Sequence, residues 1–182
     1  MSKTYIGIDT GLNGAAVAVD DYGEIMGTIA LPHIREIACY SKNKFRSVLD
    51  IQSLDGWLDC FDNIERIVAE ESPAYNQGAT SAYTSGYNSG RLHALCVQWL
   101  GEPSSNRLTN VFNRPFLTVA PKTWQKGLFG DLIKETDGKW DKERSIRLAM
   151  MRHGSLAMFK TPKRTADGFA DACHIAEWGR KQ

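Results

Sequence analysis

The feature that most constrains this chain of 182 residues is its opening. Three short apolar runs, Tyr5 to Asp9, Ala15 to Val19 and Glu24 to Leu31, are separated by two tight turns. The turns, Gly11-Leu12-Asn13-Gly14 and Asp21-Tyr22-Gly23, are built from residues that reverse a chain. Two hairpins in succession make a three-stranded antiparallel start. Its first strand ends on a carboxylate, Asp9.

An irregular stretch begins at Pro32. Val48, Leu49, Ile51, Leu54, Trp57, Leu58 and Phe61 then recur at helical spacing. Arg66 to Ala69 is a short β-type run closing on Glu70-Glu71, and residues 72–80 read as a loop. A second helix is expected over Ser81 to Leu100, interrupted in pattern by Gly86 and Gly90. Phe116 to Ala120 reads as a fifth strand, with Pro121 at a helix start. Helices follow near 142–152 and 166–179. The element order is βββαβαβαα, with no linker or repeat. It predicts one α/β domain over residues 1–182, a mixed five-stranded sheet with helices on both faces.

The hydrophobic share of 42% and charged share of 24% suit a soluble globular domain. No stretch approaches the ~18 consecutive apolar residues of a membrane span. No membrane partner is therefore expected, and because the N-terminus enters a strand without a signal peptide's apolar core, the protein is expected to stay in the compartment where it is made. Cys39, Cys60, Cys96 and Cys173 form no CxxC pair. They read as core thiols in a reducing cytoplasm. His33, His93, His153 and His174 form no HxxxH pair and read as structural. The tryptophans fall mostly on apolar helical stripes and read as core.

Four acids stand apart. Asp9 and Glu70 each follow an apolar strand, where side chains leave the packed layer. Glu71 could take the place of Glu70 if that strand ran one residue further. In TADGFADACHIAEW, Asp167 and Asp171 are one helical turn apart, so both carboxylates share a face. Like charges at that spacing repel, and the face is otherwise apolar, so a compensating cation is expected. The simpler alternative is Asp167 favouring the helix dipole after a Thr165 cap, with Asp171 in solvent. Oxygen-only ligands select Mg²⁺, or Mn²⁺ in its place, over zinc. Four carboxylates can hold two ions ~4 Å apart, the arrangement that hydrolyses phosphodiesters.

Charge is segregated along the chain although its net is only +1. Residues 1–80 hold 6 Lys and Arg against 12 Asp and Glu, whereas residues 121–164 hold 11 against 5. Lys160, Lys163 and Arg164 sit just before the paired aspartates. Such a basic region is the footprint expected for a phosphate backbone.

With these residues in view, the sequence resembles the RuvC family of Holliday junction resolvases, particularly its phage-encoded members. The resemblance rests on IGIDTG, VAEE, QGATSAYTSG, VAPKTWQKGLFG, DKERSIRLA and DGFADACHIAEW, in the family's order and across nearly the whole chain. It implies an RNase H-like fold, a homodimer, and Mg²⁺-dependent paired nicks in a four-way DNA junction during recombination and repair. It also implies the cytoplasm of a bacterial or phage-infected bacterial cell. Carried over by position, Asp9, Glu70 and Asp171 match the metal ligands. Asp167 stands four residues before the final aspartate, where many members have three. Lys126 and Lys142 fall where resolvases carry basic residues near the scissile phosphate, and Lys122 joins Lys126 in the DNA-binding set. Tyr75 is the candidate for an aromatic that meets bases at the crossover. The helix bearing Ser81, Ser85, Gly86, Ser89 and Gly90 corresponds to a dimer interface, although small residues pack within a monomer equally well.

Two other enzymatic readings compete. One keeps the nuclease and changes the substrate to another branched or hybrid nucleic acid. The other is an actin-like phosphotransferase using IGIDTG as a phosphate turn, which the length and the lack of a second phosphate motif disfavour. A non-catalytic DNA-binding module is a further alternative, disfavoured by the presence of all four acids.

Overall fold

The computed structural model describes residues 2–38, 44–71, 78–100, 116–134 and 141–182, with the side chains of 131–134 and 164 outside that description. The opening meander forms as expected, from β1 (Thr4–Ile8), β2 (Ala15–Val19) and β3 (Ile25–Ala30). Strand β6 (Ile64–Glu70) pairs parallel to β1, and β7 (Phe116–Val119) pairs parallel to β6. The resulting five-stranded sheet runs β3-β2-β1-β6-β7, antiparallel on one side of β1 and parallel on the other.

Period two along each strand sorts side chains to two faces. Ile6, Ile8, Ala16, Ala18, Ile67 and Ala69 pack against α1 (Ile51–Leu58) and α2 (Ala79–Leu100) through Leu54, Leu58, Leu92 and Leu95. On the opposite face, Ala15, Val17 and Val19 meet Ala149 of α4 (Lys142–His153) and Phe169, Ala170 and Cys173 of α5 (Lys163–Arg180). There too, Val68, Leu117 and Val119 meet Trp124 and Phe129 of α3 (Pro121–Lys134) and Ile175 and Trp178 of α5. Helices therefore cover both faces.

Three expectations need correction. The stretch after Pro32 is not irregular throughout: β4 (His33–Ile37) and β5 (Phe45–Leu49) form a separate antiparallel hairpin. Val48 and Leu49 belong to β5 and not to the helix, because Asp50 caps α1 by accepting from Ser53 N at 3.3 Å. Secondly, the helices expected from Pro121 and near 142–152 and 166–179 all form, one more than the expected element order counted, and a 3-10 turn (Ala157–Lys160) is added between the last two. Thirdly, Pro162, not Thr165, precedes the first turn of α5, which places Thr165 inside the helix. The cysteines divide: Cys96 and Cys173 are buried, Cys60 is exposed, and Cys39 lies outside the described residues. Among the described residues, no helix is long and apolar enough to cross a membrane.

The hairpin is tied to α2. Arg46 of β5 and Arg91 of α2 both pair with Glu36, and the Arg46 guanidinium lies 3.9 Å from the Tyr87 ring centroid. Asn88 accepts from Leu49 N at 3.0 Å.

Candidate active site

The strand alternation that builds the core also aims the acids. Tyr5 and Gly7 of β1 face α5, so Asp9, two residues beyond Gly7, leaves the sheet on that side. Val68 and Glu70 share the same face of β6. The parallel register Ile8↔Ala69 then brings Asp9 and Glu70 side by side at the strand ends. Thr10 Oγ1 donates to the Glu70 carbonyl oxygen at 2.9 Å and fastens the loop after β1 to the end of β6.

Helix α5 is held close above these ends by glycines. A Cβ on Gly168, between the two helical aspartates, would lie 2.4 Å from Asn13 O in the β1–β2 turn. Without that side chain the helix rests on the turn, and Asp167 and Asp171 reach the space over Asp9. Asp9, Glu70, Asp167 and Asp171 consequently line one cavity of about 630 Å³, with Gly11, Asn13, Gln125 and Lys142 among its other walls. Glu71 does not reach it. That side chain is exposed and accepts from Thr118 Oγ1 at 3.1 Å.

Each acid has a defined polar partner. Gly11 N donates to Asp9 Oδ1 at 3.0 Å, and the Trp124 indole donates to Glu70 Oε2 at 2.8 Å. Ser145 Oγ donates to Asp171 Oδ1 at 2.6 Å. The Lys142 ammonium bonds to Asp167 Oδ2. Lys142 and Ser145 are three residues apart at the start of α4, on one face, and therefore meet two acids four apart on α5. Asp141 caps α4 and fixes where that face begins.

The electrostatics are those of a crowded anionic site. Burial pushes the Asp171 carboxyl up to about 7, reinforced by Asp9 and Asp167, although Ser145 and Lys142 oppose the shift. Burial likewise pushes Glu70 up to about 7, with Asp9 and Asp171 adding repulsion against the Trp124 bond. Asp9 is raised too, chiefly by burial. Lys142 is raised by its bond to Asp167 and by the charges of Asp167, Asp171 and Asp9. One lysine thus faces carboxylates enough for several positive charges.

Among the described residues, no three Asp, Glu, His or Cys side chains close on a single point as a chelate. They line a cavity instead. The donor chemistry nonetheless fits a hard divalent ion: every acid offers oxygen, and buried carboxylates held near neutrality gain from a cation that replaces their protons.

Among the described residues, Lys142 is the basic residue that lines the site. Lys122 and Lys126 are exposed on α3 and do not line the cavity, whereas Gln125 between them does. Lys160 is exposed, and Lys163 pairs with Glu143 at 2.7 Å. Tyr75 and the Arg164 side chain lie outside the described residues. Ser145 and Gln125 were not singled out by the sequence, and Trp124 was read only as core. The cue for Ser145 was its spacing of three from Lys142. For Trp124, no local signal announces that a buried indole reaches a strand-end glutamate.

No protein-family model matches the sequence, and no curated protein matches it. Solved structures do match. The structure of T. thermophilus RuvC in complex with Holliday junction substrate aligns over 98% of this chain and 96% of its own, with a TM-score of 0.55 at 18% identity. A Thermus thermophilus RuvC structure aligns over the same shares, with a TM-score of 0.52 at 17% identity. With its mixed five-stranded sheet clothed by helices on both faces, the chain has the RNase H-like fold of RuvC.

Proposed function

We propose that this chain is a structure-selective endodeoxyribonuclease that resolves four-way DNA junctions as a homodimer, using divalent metal. The observation that carries this reading is the gathering of Asp9, Glu70, Asp167 and Asp171, from two strands and the last helix, around one cavity faced by Lys142. The fold is shared with a RuvC whose structure includes a Holliday junction substrate, which directs the choice of nucleic acid.

The four acids would hold Mg²⁺ or Mn²⁺, ions that supply a water nucleophile at neutral pH and stabilise the leaving oxygen. The protein's own contribution is placement. Asp9 and Glu70 sit on rigid strand ends, and Asp167 and Asp171 on a helix pinned to the sheet. Lys142 is exposed along its stem yet has its ammonium at the acids. It would meet a phosphate oxygen and offset charge developing on it. Lys122, Lys126, Lys160, Lys163 and Arg164 would contact the phosphate backbone outside the cavity.

Paired cuts in a near-two-fold junction call for two sites related by a dyad. Helix α2 supports a self-association surface: a Cβ at Gly86 or Gly90 would meet nothing within 4 Å among the described residues.

The test is a nicking assay on a synthetic four-way junction, with Mg²⁺ and with chelator. Symmetric paired nicks that need the metal support the proposal. Cuts confined to hybrid duplexes or other branched substrates would keep the nuclease and replace the substrate. ATP binding without DNA affinity would replace the activity altogether.

A further inference from the structure

We propose that Trp124 and Ser145 are positioning residues: each holds one oxygen of a site carboxylate, turning the second oxygen of Glu70 and of Asp171 toward the cavity. This rests on reading the four acids as a metal site, and it assigns a task to a part of the core that lies behind them.

Trp124 is fully buried, as is Ser145. An indole N–H can only donate, so its 2.8 Å bond makes Glu70 Oε2 the acceptor whatever the carboxyl's protonation state. The Ser145 bond to Asp171 Oδ1, at 2.6 Å, has the length of a hydroxyl donating to a carboxylate. Both donors belong to one packed unit. His174, 1% exposed, lies along the Trp124 ring with centroids 6.1 Å apart and an interplanar angle of 26°. Its Nε2 is 3.1 Å from the carbonyl oxygen of Ser145. Phe129 packs edge-on against the same imidazole, with centroids 4.9 Å apart. The shell thus runs from Glu70 through Trp124, His174 and Ser145 to Asp171, joining α3, α4 and α5 behind the acids.

A carboxylate with one oxygen tethered has lost most of its rotational freedom and presents the other at a set angle. Partners of this kind orient ligands, and their removal typically weakens metal binding ~10–100-fold. The two donors can be removed with most of the volume kept: phenylalanine retains most of the aromatic bulk of Trp124, and alanine removes a single oxygen from Ser145.

The experiment measures Mn²⁺ binding directly, from the electron paramagnetic resonance signal of the free ion. The proteins are the wild type, S145A, W124F and Asp9→Asn, each with a thermal melt. The expected result is a Kd roughly 10–100-fold weaker for S145A and W124F, with full occupancy recovered at higher Mn²⁺. S145A should melt within about 4 °C of the wild type, which separates positioning from folding and decides the matter should W124F unfold. If both variants bind within twofold of the wild type while Asp9→Asn has lost binding, the positioning role is overturned and the metal site stands. If the wild type binds no Mn²⁺, or Asp9→Asn binds as well as the wild type, the metal site itself fails and the positioning role with it.

Discussion

Gly7 of β1 lies directly beneath the backbone of Ala176 in α5: a Cβ built on Gly7 would sit 2.2 Å from Ala176 N and 2.2 Å from Ala172 O. The helix carrying Asp167 and Asp171 can approach the strand carrying Asp9 only because that side chain is absent. Gly7→Ala is therefore expected to lift α5 off the sheet. The cost should reach about 3 kcal/mol or more, since backbone atoms cannot step aside as a flexible side chain can. A fall in Tm of roughly 6–12 °C, together with loss of Mn²⁺ binding, would meet this expectation. An unaltered melt would contradict the close approach.

Removing the lysine at the site separates its two influences. With Lys142→Ala, Asp167 loses its ammonium partner, so divalent metal should bind at least as tightly as before. Cleavage at saturating metal should nonetheless fall about 10²-fold, because a cation proposed to face the scissile phosphate is gone. Titrating metal under single-turnover conditions reads both quantities. Weaker metal binding with an unchanged rate would reverse the assignment.

The raised carboxyls make stability depend on pH in a stated direction. Glu70 and Asp171 titrate near 7 in the folded chain, against ordinary values of 4.5 and 3.8. Between those limits the folded state holds more protons than the unfolded one, so stability falls as pH rises through 7. His174, depressed to about 4 by burial, acts the opposite way, but only below its ordinary value of 6.5. Most of the acids' loss falls between the ordinary carboxyl values and 7. From pH 7 to 8 Glu70 and Asp171 shed their remaining protons, and metal-free protein should lose a further ~0.7 kcal/mol, or roughly 1–3 °C in Tm. Asp171→Asn should flatten the slope, and added Mg²⁺ should raise Tm more at pH 8 than at pH 6. A metal-free melt that is level across this range would show the acids are not raised.

A purely structural acid offers a control. Glu177 is 4% exposed, and its carboxylate meets Arg180 at 2.8 Å, Lys181 at 3.0 Å and Arg152 at 3.8 Å. Those charges outweigh its burial and hold it down at about 2. The pairing is present above its ordinary value of 4.5 and is lost as pH falls toward 2. Arg180 also donates to the Asp21 carbonyl oxygen at 2.8 Å, tying the end of α5 to the β2–β3 turn. Glu177→Gln should cost about 3 kcal/mol at pH 7, because cations around a buried site lose their partner. Mn²⁺ affinity should not change. Loss of metal binding at equal stability would make Glu177 part of the site.

The sheet and the acids were legible in the sequence because both rest on short-range rules. Turn residues delimit the opening strands, alternation puts Asp9 and Val68-x-Glu70 on one face, and a spacing of four aligns Asp167 with Asp171. The hairpin of β4 and β5 was not legible. Ile34, Ile37 and Phe45 are exposed among Arg35, Glu36 and Arg46, so alternation there separates no inside from an outside. What secures it to the rest of the fold is long-range: the Arg91 partner of Glu36 and the Asn88 bond to Leu49 come from α2. Ser145 and Trp124 escaped for the same reason. Their bonds to Asp171 and Glu70 span 26 and 54 residues of chain and depend on how three helices dock. Glu70 could be told from Glu71 only once the strand's end was set by pairing with β7.

The central claim is that acids distant in sequence act together on a phosphodiester. Single-turnover nicking of a four-way junction by the wild type and by Asp9→Asn, with gel-shift affinity measured on the same samples, tests it most directly. The expected result is cleavage lowered by on the order of 10³-fold or more with junction affinity within a few fold of the wild type. Cleavage persisting in Asp9→Asn, or binding lost in step with cleavage, would contradict it.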